Sequence, residues 1–120
     1  MTVFVQAIIV FLGGGLGCIL RFLIGNVFSR LSLQLPISTL ASNLIACSIF
    51  AATLFSFSHK AMPEWQRLFI LTGFCGGLST FSTFSYETFE LIKSGLPFWA
   101  FTNMLVSASG CILIFYIFGK

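Results

Sequence analysis

Charge is what this sequence has least of. Only 8% of its 120 residues are charged, against about a quarter in a soluble domain. Aspartate is absent altogether. The acidic set is Glu64, Glu87 and Glu90, and the one histidine is His59 in a loop. Most acid/base and carboxylate–metal chemistry is hard to build from so few groups, which argues against an enzyme. The basic residues do not cluster, so the chain carries no footprint for nucleic acid. Cys18, Cys47, Cys75 and Cys111 all sit in apolar runs. They show no CxxC or Cys/His ligand spacing and read as small, polarizable packing residues. The opening MTVFVQAIIVF has neither a basic leader region nor a clear small-residue cleavage site. Its apolar run is therefore expected to stay as a spanning helix.

What fills the chain instead is apolar. Hydrophobic residues make up 58% and the mean hydropathy is +1.04. Such a chain cannot cover a water-facing surface, so the expectation is an integral membrane protein. Four runs, roughly 3–25, 36–57, 68–92 and 97–118, each supply the about 20 residues a bilayer crossing needs. Pro36 and Pro97 open the second and fourth, where a missing N–H costs nothing. The connectors NVFSRLSLQL, SFSHKAMPEWQ and KSGL leave no room for a soluble domain. The expected fold is all-α: one four-helix transmembrane domain, 1–120.

Four crossings put both termini on one side. Lys60, Arg67 and Lys120 fall on that side; Arg30, Lys93 and Arg21 fall on the other. The positive-inside rule needs an excess, and three against three gives none. Either other signals orient the chain or it inserts both ways, and in the second case an up and a down copy can pair as an antiparallel dimer. Four short helices do not surround an aqueous lumen, so a transport path is expected at a subunit interface. A two-fold dimer would carry it twice. Gly13 and Gly17 form a GxxxG pair that suits either packing within the chain or a subunit contact.

The most informative stretch is GFCGGLSTFSTFSYE, 73–87. Adjacent Gly76 and Gly77, then Ser79 and Thr80, weaken the third helix at mid-membrane. A break there frees carbonyls, which membrane proteins tolerate only inside protein or around a polar path or ion. The alternative is that the glycines simply permit a close helix crossing. Phe81 and Phe84 lie near one helix face with Ser82 and Thr83 between them. Ring edges are positive, so such a pair suits a weakly held anion, or it merely fills space. Asn43, with Thr39 a turn before it, and Asn103, with Ser107 a turn after it, place amides where polar groups face a partner or a cavity. Snorkelling to the interface is expected of Arg21. Glu87, three residues past Phe84, is placed to line a vestibule.

These residues resemble the Fluc (CrcB) family of small fluoride channels over nearly the whole chain. GGGLGCILRF is similar to the family's glycine-rich first helix, STLASNLIA to its TL-x-x-N core, and GFCGGLSTFSTF to its signature G-x-x-GG-x-[ST]-T-F-S-T-F. The resemblance implies antiparallel, dual-topology homodimers with two fluoride pores and a central Na⁺. It implies that Gly76 and Ser79 give backbone carbonyls to that Na⁺ from both subunits. Phe81 and Phe84 would be the pore ring pair and Asn43 the pore amide. Ser82 and Thr83 would belong to a hydroxyl track, with Ser107 and Asn103 contributing from the fourth helix. Ser38 and Ala46 stand where the family often has Gly, and Asn103 where it often has Tyr, so the second helix is expected to pack somewhat differently. The implied function is passive, fluoride-selective export across a bacterial inner membrane. The rival readings are a small multidrug-resistance-type proton-coupled exporter and an assembly subunit. The first of these carries a carboxylate in its first helix; 3–25 here has neither Asp nor Glu.

Overall fold

The computed structural model describes residues 1–31 and 35–120. Among the described residues the structure is all-helical, and four helices are long and apolar enough to cross a membrane. The first runs Val3–Phe28, the second Ile37–Ser56 and the fourth Pro97–Phe118, while the third span covers Glu64–Lys93. The long dimension is 50 Å, enough for a bilayer of about 40–45 Å including headgroups. The middle of the first connector, 32–34, lies outside the described residues.

Local chemistry sets the ends of these helices. The Thr2 hydroxyl accepts the Val5 N–H at 3.3 Å, an N-cap that starts the first helix. That helix continues to Phe28 rather than stopping near Gly25, because an isolated glycine in an apolar helix weakens it without ending it. The third span begins at Glu64, four residues before the expected Leu68. Pro63 sets the entry, its carbonyl takes the Arg67 N–H at 3.2 Å, and Glu64 suits the positive end of the helix dipole. Between the third and fourth helices, Gly95 has φ +79°. The Leu96 N–H reaches the Leu91 carbonyl and the Gly95 N–H the Ile92 carbonyl. That pair of bonds is a Schellman ending with glycine in its left-handed position. Pro97 then opens the fourth helix at once.

The third span is not one uniform helix. After a turn at Glu64–Gln66, Arg67–Cys75 is wound as a π-helix, and Gly76–Leu78 returns to α geometry. Ser79 and Thr80 are then extended, with ψ of 157° and 123°, before helix resumes over Phe81–Lys93. Nothing in RLFILTGFC marks the π winding. The interruption falls at the hydroxyl pair Ser79 and Thr80, while Gly76 and Gly77 before it stay helical.

Small residues decide the packing. Gly13 and Gly17 are buried against the leading half of the third span. A Cβ on Gly13 would strike the Phe69 carbonyl, and one on Gly17 the Phe74 carbonyl. Contact is reciprocal: a Cβ on Gly73 would come within 2.9 Å of the Val10 carbonyl, and one on Gly77 would strike that of Gly14. Backbone therefore meets backbone, and the GxxxG pair is used within the chain. The second helix lies along the fourth, where Phe50 and Phe115 meet edge to face at 5.7 Å. The interior holds Ala46, Ala51, Ala100, Ser42 and Leu78, while Phe4, Phe11 and Phe22 on the first helix point outward. Large apolar side chains outside and small residues inside suit a chain surrounded by lipid.

A test follows from the glycine seam. Gly17→Leu should abolish monodisperse protein in detergent, because overpacking costs about 1–3 kcal/mol even where neighbours can shift, and here the neighbour is backbone. Gly15→Ala, with open space around it, should be tolerated. Size-exclusion profiles of the two variants decide; equal profiles would mean the seam is dispensable.

Candidate functional site

The interruption at Ser79 and Thr80 leaves peptide groups without helical partners, and specific side chains take them over. The Asn43 amide grips Thr80 from both sides. Its Oδ1 accepts the Thr80 N–H at 2.8 Å and its Nδ2 donates to the Thr80 carbonyl at 3.3 Å. Thr80 in turn caps the trailing half, its Oγ1 accepting the Thr83 N–H at 3.1 Å. The Ser79 hydroxyl folds back to the Cys75 carbonyl at 2.8 Å.

Two carbonyls are thereby set free. In a continuous helix the Thr80 N–H would serve the Gly76 carbonyl, and the Thr83 N–H that of Ser79. Both donors are spent elsewhere, on Asn43 and on Thr80 Oγ1. Gly76 is exposed and a Cβ there would meet nothing. The two oxygens are thus chemically fit for a hard cation, which takes carbonyl ligands. The Gly77 carbonyl is different, because Arg21 Nε donates to it at 3.0 Å. The snorkelling expected of Arg21 is therefore corrected. Its guanidinium turns inward and caps the broken helix, since a cation at a helix C-terminus satisfies orphan carbonyls.

Two cavities meet at Thr80. One, of about 280 Å³, is lined by Asn43, Ser79, Thr80, Phe81, Phe84 and Ser107, together with Cys47, Ala108 and Cys111. Phe81 and Phe84 stand 5.8 Å apart there with ring planes 38° apart. Phe81 is 79% exposed, so it does not fill this chain's core. The other cavity, of about 310 Å³, is polar; Arg21, Ser38, Thr39, Ser42 and Thr83 line it along with Thr80. Ser42 is 1% exposed, and its Oγ is the one buried side-chain polar atom without a partner among the described residues. The Thr39 hydroxyl donates to the Glu87 carboxylate, tying the second helix to the third.

The sequence-predicted residues are thus partly gathered. Asn43, Phe81, Phe84 and Ser107 share one cavity; Thr83 lies on the opposite side of Thr80. Ser82 is exposed, with its hydroxyl 3.3 Å from Thr80 Oγ1. Asn103 is not among the residues lining the Phe cavity. It is 2% exposed and donates to Thr88 Oγ1 at 2.9 Å, while the Ser107 hydroxyl donates to its Oδ1 at 3.4 Å. Arg21, Ser42 and Cys111 were not picked out as site residues. Arg21 carried a signal, a charge inside an apolar run, but its partner is a carbonyl 56 positions away.

A broken third helix, clamped by an amide and flanked by two cavities, defines a polytopic membrane protein with a polar seam through apolar helices. A family model described as CrcB-like protein, Camphor Resistance (CrcB), matches residues 8–119. The chain is 43% identical over 115 residues to the fluoride-specific ion channel FluC of Methanocaldococcus jannaschii, covering 96% of this chain and 91% of that protein. It is 42% identical to the FluC of Serratia proteamaculans (strain 568), over 88% of this chain and 84% of that one. It is 42% identical to the FluC of Geobacter sp. (strain M21), over 93% and 92%. The chain belongs to the CrcB family. The names its relatives carry are those of a channel, not of an enzyme.

The clamp makes a stability prediction. Asn43→Ala should destabilise the protein by about 1–3 kcal/mol, the cost of leaving buried polar groups unpaired. Thr102→Ala, which loses only a bond to the Phe98 carbonyl within its own helix, should stay within about 0.5 kcal/mol. Denaturant midpoints followed by far-UV circular dichroism give the comparison; equal midpoints would show that the clamp carries no weight.

Proposed function

We propose that this protein is a fluoride-selective channel that lets fluoride leave the cytoplasm passively. The observation that carries the reading is the grouping of Asn43, Phe81, Phe84 and Ser107 around one cavity beside the interrupted helix, in a chain whose relatives are named fluoride-specific channels. Fluoride is small and strongly hydrated, so a path must replace its water with donors. Asn43 spends one N–H on Thr80 and keeps a second. The Ser42 hydroxyl is unspent, and phenylalanine edges are positive. None of these holds an anion tightly, as conduction requires. In this reading the ion enters the polar cavity beside Arg21, passes Thr80, and leaves along Phe81 and Phe84. Ser82 and Thr83 belong to its hydroxyl track, and Asn103 acts indirectly by holding Ser107.

The interruption lies at mid-membrane, and two copies assemble as an antiparallel, dual-topology homodimer with two pores. The even charge distribution and the outward-facing Phe81 support this arrangement. Gly76 and Ser79 of each copy would together present four carbonyl oxygens to one Na⁺ at the centre, where the cation supplies charge that holds the two breaks together. The setting is a bacterial inner membrane.

Liposomes reconstituted with purified protein should release fluoride without a proton gradient, and chloride at least roughly a hundredfold more slowly. Equal chloride flux, or flux that demands a proton gradient, would overturn the channel reading. Phe81→Ile should lower fluoride flux roughly tenfold with the protein still folded; an unchanged rate would remove that ring from the path. Exchanging Na⁺ for a large organic cation should lower flux or dissociate the dimer, whereas indifference to the cation would exclude the Gly76 and Ser79 site.

A further inference from the structure

The sequence presents the four cysteines as isolated packing residues, but the fold brings two of them together. Cys47 stands one helical turn after Asn43 on the second helix, and Cys111 one turn after Ser107 on the fourth. Residues four apart share a helix face, so both thiols follow Asn43 and Ser107 along the same wall. Both line the cavity of about 280 Å³ that holds Phe81 and Phe84. Both thiols are free, and the second and fourth helices that carry them pack side by side.

We propose that Cys47 and Cys111 form a two-thiol site for a soft, thiophilic cation, of which Hg²⁺ is the type, and that occupancy closes the cavity to anions. Soft cations select thiolate sulfur over the neutral oxygens of Asn43, Ser79 and Ser107. Among the described residues no group of three or more His, Cys, Asp or Glu is arranged to hold a metal. The pair therefore matches a two-coordinate ion, not a tetrahedral one. Each thiol gives its proton to the buffer as a sulfur–metal bond replaces the S–H bond. Two protons leave per ion and nothing is oxidised or reduced. The resulting sulfur–metal–sulfur bridge links the second helix to the fourth across the cavity. Cys75 shares the adjoining cavity with Cys47, and Cys18 lies on the far side of Thr80 in the polar one, so the test replaces both to leave Cys47 and Cys111 as the one pair.

The closing effect rests on the transport reading; the binding does not. The experiment uses the purified full-length chain carrying C18S and C75S, treated with one equivalent of Hg²⁺ alone. X-ray absorption at the mercury edge should show two sulfur neighbours, and adding C111S or C47S should reduce this to one. One sulfur neighbour in the C18S/C75S protein, or two persisting after C111S, would overturn the site. In liposomes the same equivalent should lower fluoride flux at least roughly tenfold in the C18S/C75S protein, with recovery on adding a dithiol. In the C111S protein, treated flux should stay within roughly twofold of its own untreated value. Two sulfur neighbours with undiminished flux would overturn the closure. A protein that passes no fluoride before treatment would instead defeat the transport reading, and the coordination result would stand by itself.

Discussion

Two hydrogen bonds from Asn43 to the backbone of Thr80 hold the centre of this protein. Extended backbone inside a helical span is costly, because water is not there to replace lost partners. An asparagine amide offers one donor and one acceptor in a peptide-like geometry, so a single side chain repairs both sides of Thr80. Other features depend on that repair. With the Thr80 N–H committed to Asn43, the Gly76 carbonyl stays free. With Thr80 fixed, its hydroxyl is positioned to cap the trailing half at Thr83. Arg21 completes the arrangement from the first helix by taking the Gly77 carbonyl.

The glycine seam makes that last contact possible. Gly13, Gly17, Gly73 and Gly77 let the first helix approach the third until side chains are excluded between them. The guanidinium of Arg21, four residues beyond Gly17, then reaches the broken end. Close packing and the polar centre are thus one device. The first sets the separation at which the second works.

Much of the architecture was legible because hydropathy and punctuation are local signals. The fourth helix runs from residue 97 to 118 as expected, since Gly95 and Pro97 fix its start chemically. GGLST left two outcomes open, a break or a close helix crossing, and both occur: Ser79 and Thr80 are extended, while Gly77 meets the first helix backbone to backbone. The early start at Glu64 was missed because Pro63 can follow a loop as readily as open a helix. The π winding of Arg67–Cys75 leaves no compositional trace. Among the site residues, Asn43 and Asn103 look alike in sequence yet meet different fates. Asn43 stands at a cavity wall beside a broken backbone, whereas Asn103 is enclosed against Thr88. Only the three-dimensional neighbours separate them, just as they alone bring Cys47 and Cys111 together.

The inverted distribution of side-chain sizes bears on how the protein responds to temperature. The large heat-capacity increment of soluble proteins comes from apolar surface meeting water on unfolding. Here Phe4, Phe11 and Phe22 already face outward, and the interior is mostly small or polar residues, with Leu71 and Leu78 its large apolar members. Helices that separate within a bilayer uncover little apolar area, and they uncover it to hydrocarbon chains. The stability curve should therefore be close to a straight line, without the low-temperature downturn that limits water-soluble folds.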